Sequence, residues 1–434
     1  MALDFRHGSV QWLTTDALNA TKVVTGLGFT PKALRFYWVG LQSNSPTNAV
    51  SGAVNERRGV GFAVSNASRR CVGTFSQDNT TAGGTCASVA MDTCVCVTVS
   101  SAGAVDGQLD ISSFDADGFT LIVDDVTPAN ITVFYEAWGG QDITVAVVGD
   151  IAEPAATGTQ NYTVNGFTDD GTNQVLMFAG VQSVNAVNTG QVQDSGLCVG
   201  FASKTTTENS QQQFVVAVNS DTGSDPTDTD GLITSGICLS QIVIGGGVSS
   251  SYASLSSWGT NQFTLNWQAR ATTNRRNIFL AIKGGSWSSS YYTIAGNSLN
   301  ATSTISELPF FPLRGISLVG RRAVAQALGS SSAQSTIGFG SATGTGSRNS
   351  AGAIDNNSSD PTQIGTIIQY DSVLSFPTAA GAVQATYDVN VFGLNSFQII
   401  VDTAGGVANE AQGYLAFGDT MYPRIQSVGH PFII

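Results

Sequence analysis

The chain has 434 residues, of which 42% are hydrophobic and only 11% charged, with a formal net charge of −13. With only Lys22, Lys32, Lys204 and Lys283 as lysines, it has no basic stripe to grip a nucleic-acid backbone. Its apolar runs are strand-length, which excludes a helical membrane span, and its many aliphatic and aromatic residues exclude a disordered chain.

In chain order, residues 1–23 read as an N-terminal arm or edge strand. Their start, Met1-Ala2-Leu3-Asp4-Phe5-Arg6-His7, lacks the basic segment and apolar core of a secretory signal. Residues 24–150 form a first β-sandwich-sized stretch, with strands expected at Leu34–Val39, Phe119–Val123 and Ile131–Trp138, where β-branched and aromatic residues lie between turn formers. Pro154-Ala155-Ala156-Thr157-Gly158 reads as a linker. A second stretch, 162–285, carries strands at Phe214–Val218 and Phe263–Trp267. The Ser/Tyr/Asn-rich residues 286–308 read as a bridge, 309–420 as a third sandwich, and 421–434 as an apolar tail suited to docking. No segment holds the i, i+3, i+4 apolar spacing of a helix.

The three stretches repeat one another with a period of about 140 residues. Gly59-Val60-Gly61-Phe62-Ala63 returns as Cys198-Val199-Gly200-Phe201-Ala202 and as Ile337-Gly338-Phe339-Gly340. Asp117-Gly118-Phe119 returns as Asn261-Gln262-Phe263 and Asn395-Ser396-Phe397, and each copy closes on Tyr135-Glu136-Ala137-Trp138, Phe279-Leu280-Ala281-Ile282 or Tyr414-Leu415-Ala416-Phe417. The expected fold is all-β: three tandem, jelly-roll-like β-sandwiches of about eight strands each.

Residues with chemical potential are few. Only His7 and His430 are histidines, which argues against histidine triads and shuttles, and no cofactor site is expected. The loop holding Asp221, Asp225, Asp228 and Asp230 is the candidate metal site, although Pro226 falls where a calcium loop needs a ligand. The Asp221-Thr222-Gly223-Ser224 string reads as a turn, since a second carboxylate motif is missing. Trp258, Trp287, Tyr291 and Tyr292 are the candidate ligand-binding residues: aromatic faces beside hydroxyls and amides suit a sugar ring, and they equally suit a seam between domains. Cys71, Cys86, Cys94, Cys96, Cys198 and Cys238 read as buried thiols or local disulfides, absent from the third repeat.

Two stretches resemble known families. Gly26-Leu27-Gly28-Phe29-Thr30-Pro31-Lys32-Ala33-Leu34, before an aromatic strand, looks like an opening found in structural proteins of tailed bacteriophages. The closing aromatic-x-Ala strand is similar to that of H-type lectin domains, small β-sandwiches that trimerise and bind sugars. The resemblance implies a non-enzymatic virion protein made in the bacterial cytoplasm and displayed on the particle. It would be tail-associated, as a fibre or baseplate appendage, or alternatively a decoration protein of the head. The implied partners are other virion proteins, further copies of the chain in a trimer, and host surface glycans, with no nucleic acid and no membrane insertion.

Overall fold

The computed structural model describes residues 2–419 except 82–83, 170–172, 185, 193, 206–207, 224–225, 227, 244–247, 272–274, 295, 297, 328–330, 406 and 408. Among these residues the fold is all-β, with 62% strand and no helix. No helix is long and apolar enough to cross a membrane among these residues.

The strands fall into three sets of eleven. The first comprises β1 (Leu3–Trp12), β2 (Thr21–Val24), β3 (Ala33–Trp38), β4 (Ala49–Ser51), β5 (Glu56–Ala63), β6 (Arg69–Ser76), β7 (Cys86–Met91), β8 (Cys96–Val99), β9 (Val105–Asp115), β10 (Gly118–Asp125) and β11 (Ile131–Gly140). The second comprises β12 (Val145–Ala152), β13 (Gly158–Thr163), β14 (Gln174–Val184), β15 (Gln191–Val192), β16 (Leu197–Thr205), β17 (Glu208–Ser220), β18 (Thr229–Ser235), β19 (Leu239–Val243), β20 (Val248–Gly259), β21 (Gln262–Ala269) and β22 (Arg275–Lys283). The third comprises β23 (Ser286–Ile294), β24 (Thr302–Ile305), β25 (Leu313–Gly320), β26 (Ser332–Ala333), β27 (Ser335–Gly344), β28 (Ser347–Asp355), β29 (Ile364–Gln369), β30 (Leu374–Pro377), β31 (Val383–Phe392), β32 (Phe397–Thr403) and β33 (Glu410–Gly418).

Each set builds a large antiparallel sheet and a four-stranded one, in the orders β1-β11-β3-β5-β6-β7 and β2-β10-β9-β8 for the first. The fourth strand of every set leaves home. β15 pairs with β7, β26 with β18, and β4 with β29, bringing each large sheet to seven strands. The donations run in one direction around a circle, from second set to first, third to second and first to third, so the chain closes into a ring with threefold pseudosymmetry.

The three large sheets face one another across a shared core that includes Tyr37, Phe62, Met177, Phe201, Trp287, Phe339 and Phe417. Their opposite faces pack against the small sheets in three separate cores. This layering explains the sequence pattern. Large-sheet strands are covered on both faces and read as unbroken apolar runs, as in Ala33–Trp38, where all six residues are buried. Small-sheet strands have one open face and alternate: in β10, Phe119, Leu121 and Val123 are buried while Thr120, Ile122 and Asp124 face outward.

Pairing fixes which residues are equivalent. Gly61 lies opposite Phe36, Gly200 opposite Phe178, and Gly340 opposite Leu318. At each of the three glycines an added Cβ would collide with a backbone carbonyl of the small sheet, that of Val95, Cys238 or Val373. The third repeat is therefore offset by two residues from the alignment read in the sequence: Gly340, not Gly338, matches Gly61, and Phe339 matches Val60. A shift of two preserves the face, so the apolar pattern alone could not reveal it. Gly61→Ala is expected to destabilise the fold by about 1–3 kcal/mol through overpacking, read as a lower urea midpoint; an unchanged midpoint would mean the two sheets can part freely there.

Strand membership also moves the expected boundaries. Residues 1–23 supply β1 and most of β2, and β1 pairs along its whole length with β11. Residues 286–308 are not a bridge, because they contain β23 and β24, which pair with β33 and β32. β12 belongs with β22 in the second set, although it begins before residue 150. β1 and β23 are edge strands rich in polar residues, with weaker apolar signals than the strands they join, whereas β12 is apolar and is split by the boundary expected at residue 150. The tail 421–434, with His430, lies outside the described residues.

Candidate functional site

Polar side chains collect where the three sets meet. Glu56 and Ser76 face each other across β5 and β6, and Ser335 and Asp355 do so across β27 and β28. Their second-set counterparts, Ser195 and Ser220, are joined by the Ser195 N–H donating to the Ser220 carbonyl. All six side chains are buried. Arg58, also buried, binds all three sets: it donates to Glu56 Oε1 at 2.8 Å, to Ser335 Oγ at 3.2 Å and to the Ser195 carbonyl at 2.9 Å. The Ser76 hydroxyl donates to Asp355 Oδ2 at 2.6 Å. Burial pushes the Glu56 carboxyl up to about 7 against the opposing pull of Arg58, and it raises Asp355 as well.

A second buried ion pair joins Arg35 to Glu136 at 3.1 Å, and Arg35 also donates to Ser317 Oγ of the third set at 2.5 Å. Around these, one loop contact occurs three times. Asp78 Oδ1 accepts from the Ile364 N–H at 2.9 Å, Thr222 Oγ1 from Cys86 N–H at 2.6 Å, and Asn357 Oδ1 from Thr229 N–H at 2.7 Å. The sequence shows all these residues but gives no sign of the contacts, which span more than 100 positions.

That ring of loop contacts takes in the loop of the candidate metal residues. Thr222 of the Asp-Thr-Gly-Ser string also donates to the Cys86 carbonyl, so the string ties the second set to the first. Asp221 lies beside Asp194, whose carboxyl is pushed up to about 6 by burial and by Asp221. Asp228 offers its backbone carbonyl to Asp221 N–H, and the buried Asp230 lies near Arg321. Asp225 lies outside the described residues. Among the described residues, no three acidic, histidine or cysteine side chains converge on a metal-sized site.

The candidate aromatic residues are also redirected. Trp258 is 5% exposed and stacks on Phe167 at 5.5 Å in the second sandwich-like core. Trp287 is fully buried in the shared core, with its indole N–H donating to the Gly284 carbonyl. Tyr292 is buried and donates to Gln412, while Tyr291 is half-buried against the shared core. A buried ring cannot stack on a sugar: Trp287 fills the seam where the sets meet, Trp258 and Tyr292 fill the cores of their own sets, and Tyr291 is half-buried at the seam. The six cysteines are free and buried.

Two of the surface clefts lie at seams between sets and set polar side chains beside an aromatic ring. One, of 550 Å³, is lined by Lys32, Val64, Ser65, Asn66, Phe114 and Thr144. The other, of 430 Å³, lies between the first and third sets and is lined by His7, Ser9, Ser347, Arg348 and Tyr370. Burial lowers His7 to about 4, so its imidazole is neutral. His7 Nε2 lies 3.1 Å from the Ser347 carbonyl and 3.2 Å from its hydroxyl. A carbonyl needs a donor, which places the proton on Nε2 and leaves the Ser347 hydroxyl without a base. This pair is a structural clasp, not a nucleophile–base dyad.

The Gly-rich opening motif also has a local role. Asp117 accepts from the N–H groups of Gly26 and Gly28, at 3.0 and 2.6 Å, where both glycines have positive φ. Asn261 accepts in the same way from Gly166 N–H at 2.8 Å. No protein-family model matches the chain, and comparison with curated proteins and with solved structures yields no match.

Proposed function

We propose that this chain is a non-enzymatic structural protein of a virion, tail-associated as a fibre or baseplate appendage. The observation that carries the reading is the closed ring: three strand sets hold one another through exchanged strands, and the buried charges serve that closure. The outer surface is left to hydroxyls and amides, a suitable face for display outside a cell. The phage-like opening motif and the lectin-like closing strand point the same way. The partners proposed are other virion proteins, and the seam clefts are the places we propose for contact with host surface glycans.

A second reading, decoration of the phage head, is favoured by the threefold arrangement itself. A ring of three similar faces fits a local threefold of a capsid, and one chain here supplies what a trimer of chains was expected to supply. Gold-labelled antibody on intact particles tests both readings. Label confined to the tail supports the first and label over the head the second, while particles without label overturn both. A glycan array tests the sugar contact, with loss of signal expected on substituting Arg348 and Tyr370.

A further inference from the structure

Each sandwich-like core has one position on the large sheet and one position just before an edge strand of the small sheet (β8, β19 or β30) that belong together. In the first set these are Cys71, opposite Gly61, and Cys94, one residue before Val95. The corresponding pair is Val215 and Ile237 in the second set and Ser350 and Ser372 in the third. Ser350 and Ser372 share a hydrogen bond of 3.2 Å between their hydroxyls. Val215 and Ile237 lie in one apolar core. Cys71 and Cys94 bring their sulfurs to 3.5 Å, and both are fully buried. The pair thus touches in the first and third sets and shares one core in the second, while its chemistry changes.

Two thiols so placed need about 1.5 Å of approach to reach bonding distance. Cys96 is different. It matches Leu239 and Leu374, apolar at both positions, and serves as core filling. We propose that Cys71 and Cys94 are a disulfide-forming pair, stapling the large sheet of the first set to its small sheet once a disulfide oxidant is present.

The exchange balances with oxidised glutathione as that oxidant. The thiolate of one cysteine attacks a glutathione sulfur, forming a mixed disulfide and releasing one glutathione thiolate. The thiolate of the second cysteine then displaces the other glutathione. Two protein thiols are oxidised, one glutathione disulfide is reduced to two thiols, and the two protons end on those thiols. Burial pushes the Cys71 thiol up, so exchange takes place as the chain folds rather than in the closed core. A bond made then closes a loop between residues 71 and 94 and restricts the unfolded chain.

The chain supplies its own controls, since Ser/Ser and Val/Ile already occupy the same positions in folded sets. The full-length protein is refolded from urea with oxidised glutathione, alkylated under denaturing conditions and weighed. The expected result is four alkylated cysteines instead of six, a Cys71–Cys94 link on peptide mapping, and a thermal midpoint several degrees higher that dithiothreitol reverses. C71S/C94S, and independently C71V/C94I, should show no change in midpoint between the two redox conditions. Six alkylated cysteines, a link between other cysteines, or a persistent glutathione adduct on Cys71 or Cys94 would each overturn the proposal. The mass of the unsubstituted protein decides the matter even if a variant fails to fold.

Discussion

Replacing Arg58 by alanine should cost about 3–5 kcal/mol of stability, the range for breaking a buried ion pair from one side. The substitution leaves Glu56 buried without its guanidinium, and it removes the contacts to Ser195 and Ser335 that join three strand sets through one side chain. The measurement is the urea midpoint, with native gel filtration alongside to detect an opened ring. The double variant Glu56→Gln/Arg58→Met should recover much of the loss, because a neutral, volume-matched pair avoids the stranded charge. A midpoint for Arg58→Ala within about 0.5 kcal/mol of the parent would show that the exchanged strands hold the ring without it.

Stability should fall as pH rises from about 4.5 to about 7. Glu56 has its ordinary value of 4.5 in the unfolded chain and is pushed up to about 7 in the fold. Across that window the folded state holds a proton that the unfolded state has released, so raising the pH favours unfolding. The full effect for this one group is about 3 kcal/mol, present as a penalty above pH 7 and absent below pH 4.5. Asp194 acts with the same sign between 3.8 and about 6. His7, lowered from 6.5 to about 4, acts oppositely, giving stability that is lost as pH falls through that interval. Comparing the parent with Glu56→Gln cancels the His7 contribution. The variant should show a visibly flatter dependence of midpoint on pH between 4.5 and 7, and equal slopes would rule Glu56 out as the source.

Much of the fold is legible in the sequence. Sandwich-sized repeats, strand-rich segments and the aromatic-x-Ala closing strands can be read directly, because β11, β22 and β33 are covered on both faces and tolerate only apolar or small residues over most of their length. The equivalence of Phe119, Phe263 and Phe397 is legible because each is a fully buried aromatic on the core face of an alternating small-sheet strand, β10, β21 or β32. The edge strands themselves are hidden, since β1 and β23 pair along their full length yet carry polar residues that read as arm and bridge. The exchange of β4, β15 and β26 leaves no local mark, because a two- or three-residue strand is recognised only by its distant partner. Trp287 misleads because indoles favour both binding surfaces and packed seams, and only burial separates the two. The aspartates of the second set are ambiguous in the sequence because a turn that docks on another set uses the same residues as a turn that holds an ion.

The closed ring has a consequence for the residues at its centre. In an assembly of three identical chains, any side chain on the axis is present in triplicate. A central glutamate would then bring two more carboxylates with it, and a central arginine two more cations. Here the three copies lie in one chain and differ, so two acids, one base and several hydroxyls share the centre: Glu56 with Ser195 and Ser335, Asp355 with Ser76 and Ser220, and Arg58 with Leu197 and Ile337. Covalent fusion therefore removes a symmetry constraint on composition. It permits a desymmetrised centre that no homotrimer of any one of these units could build.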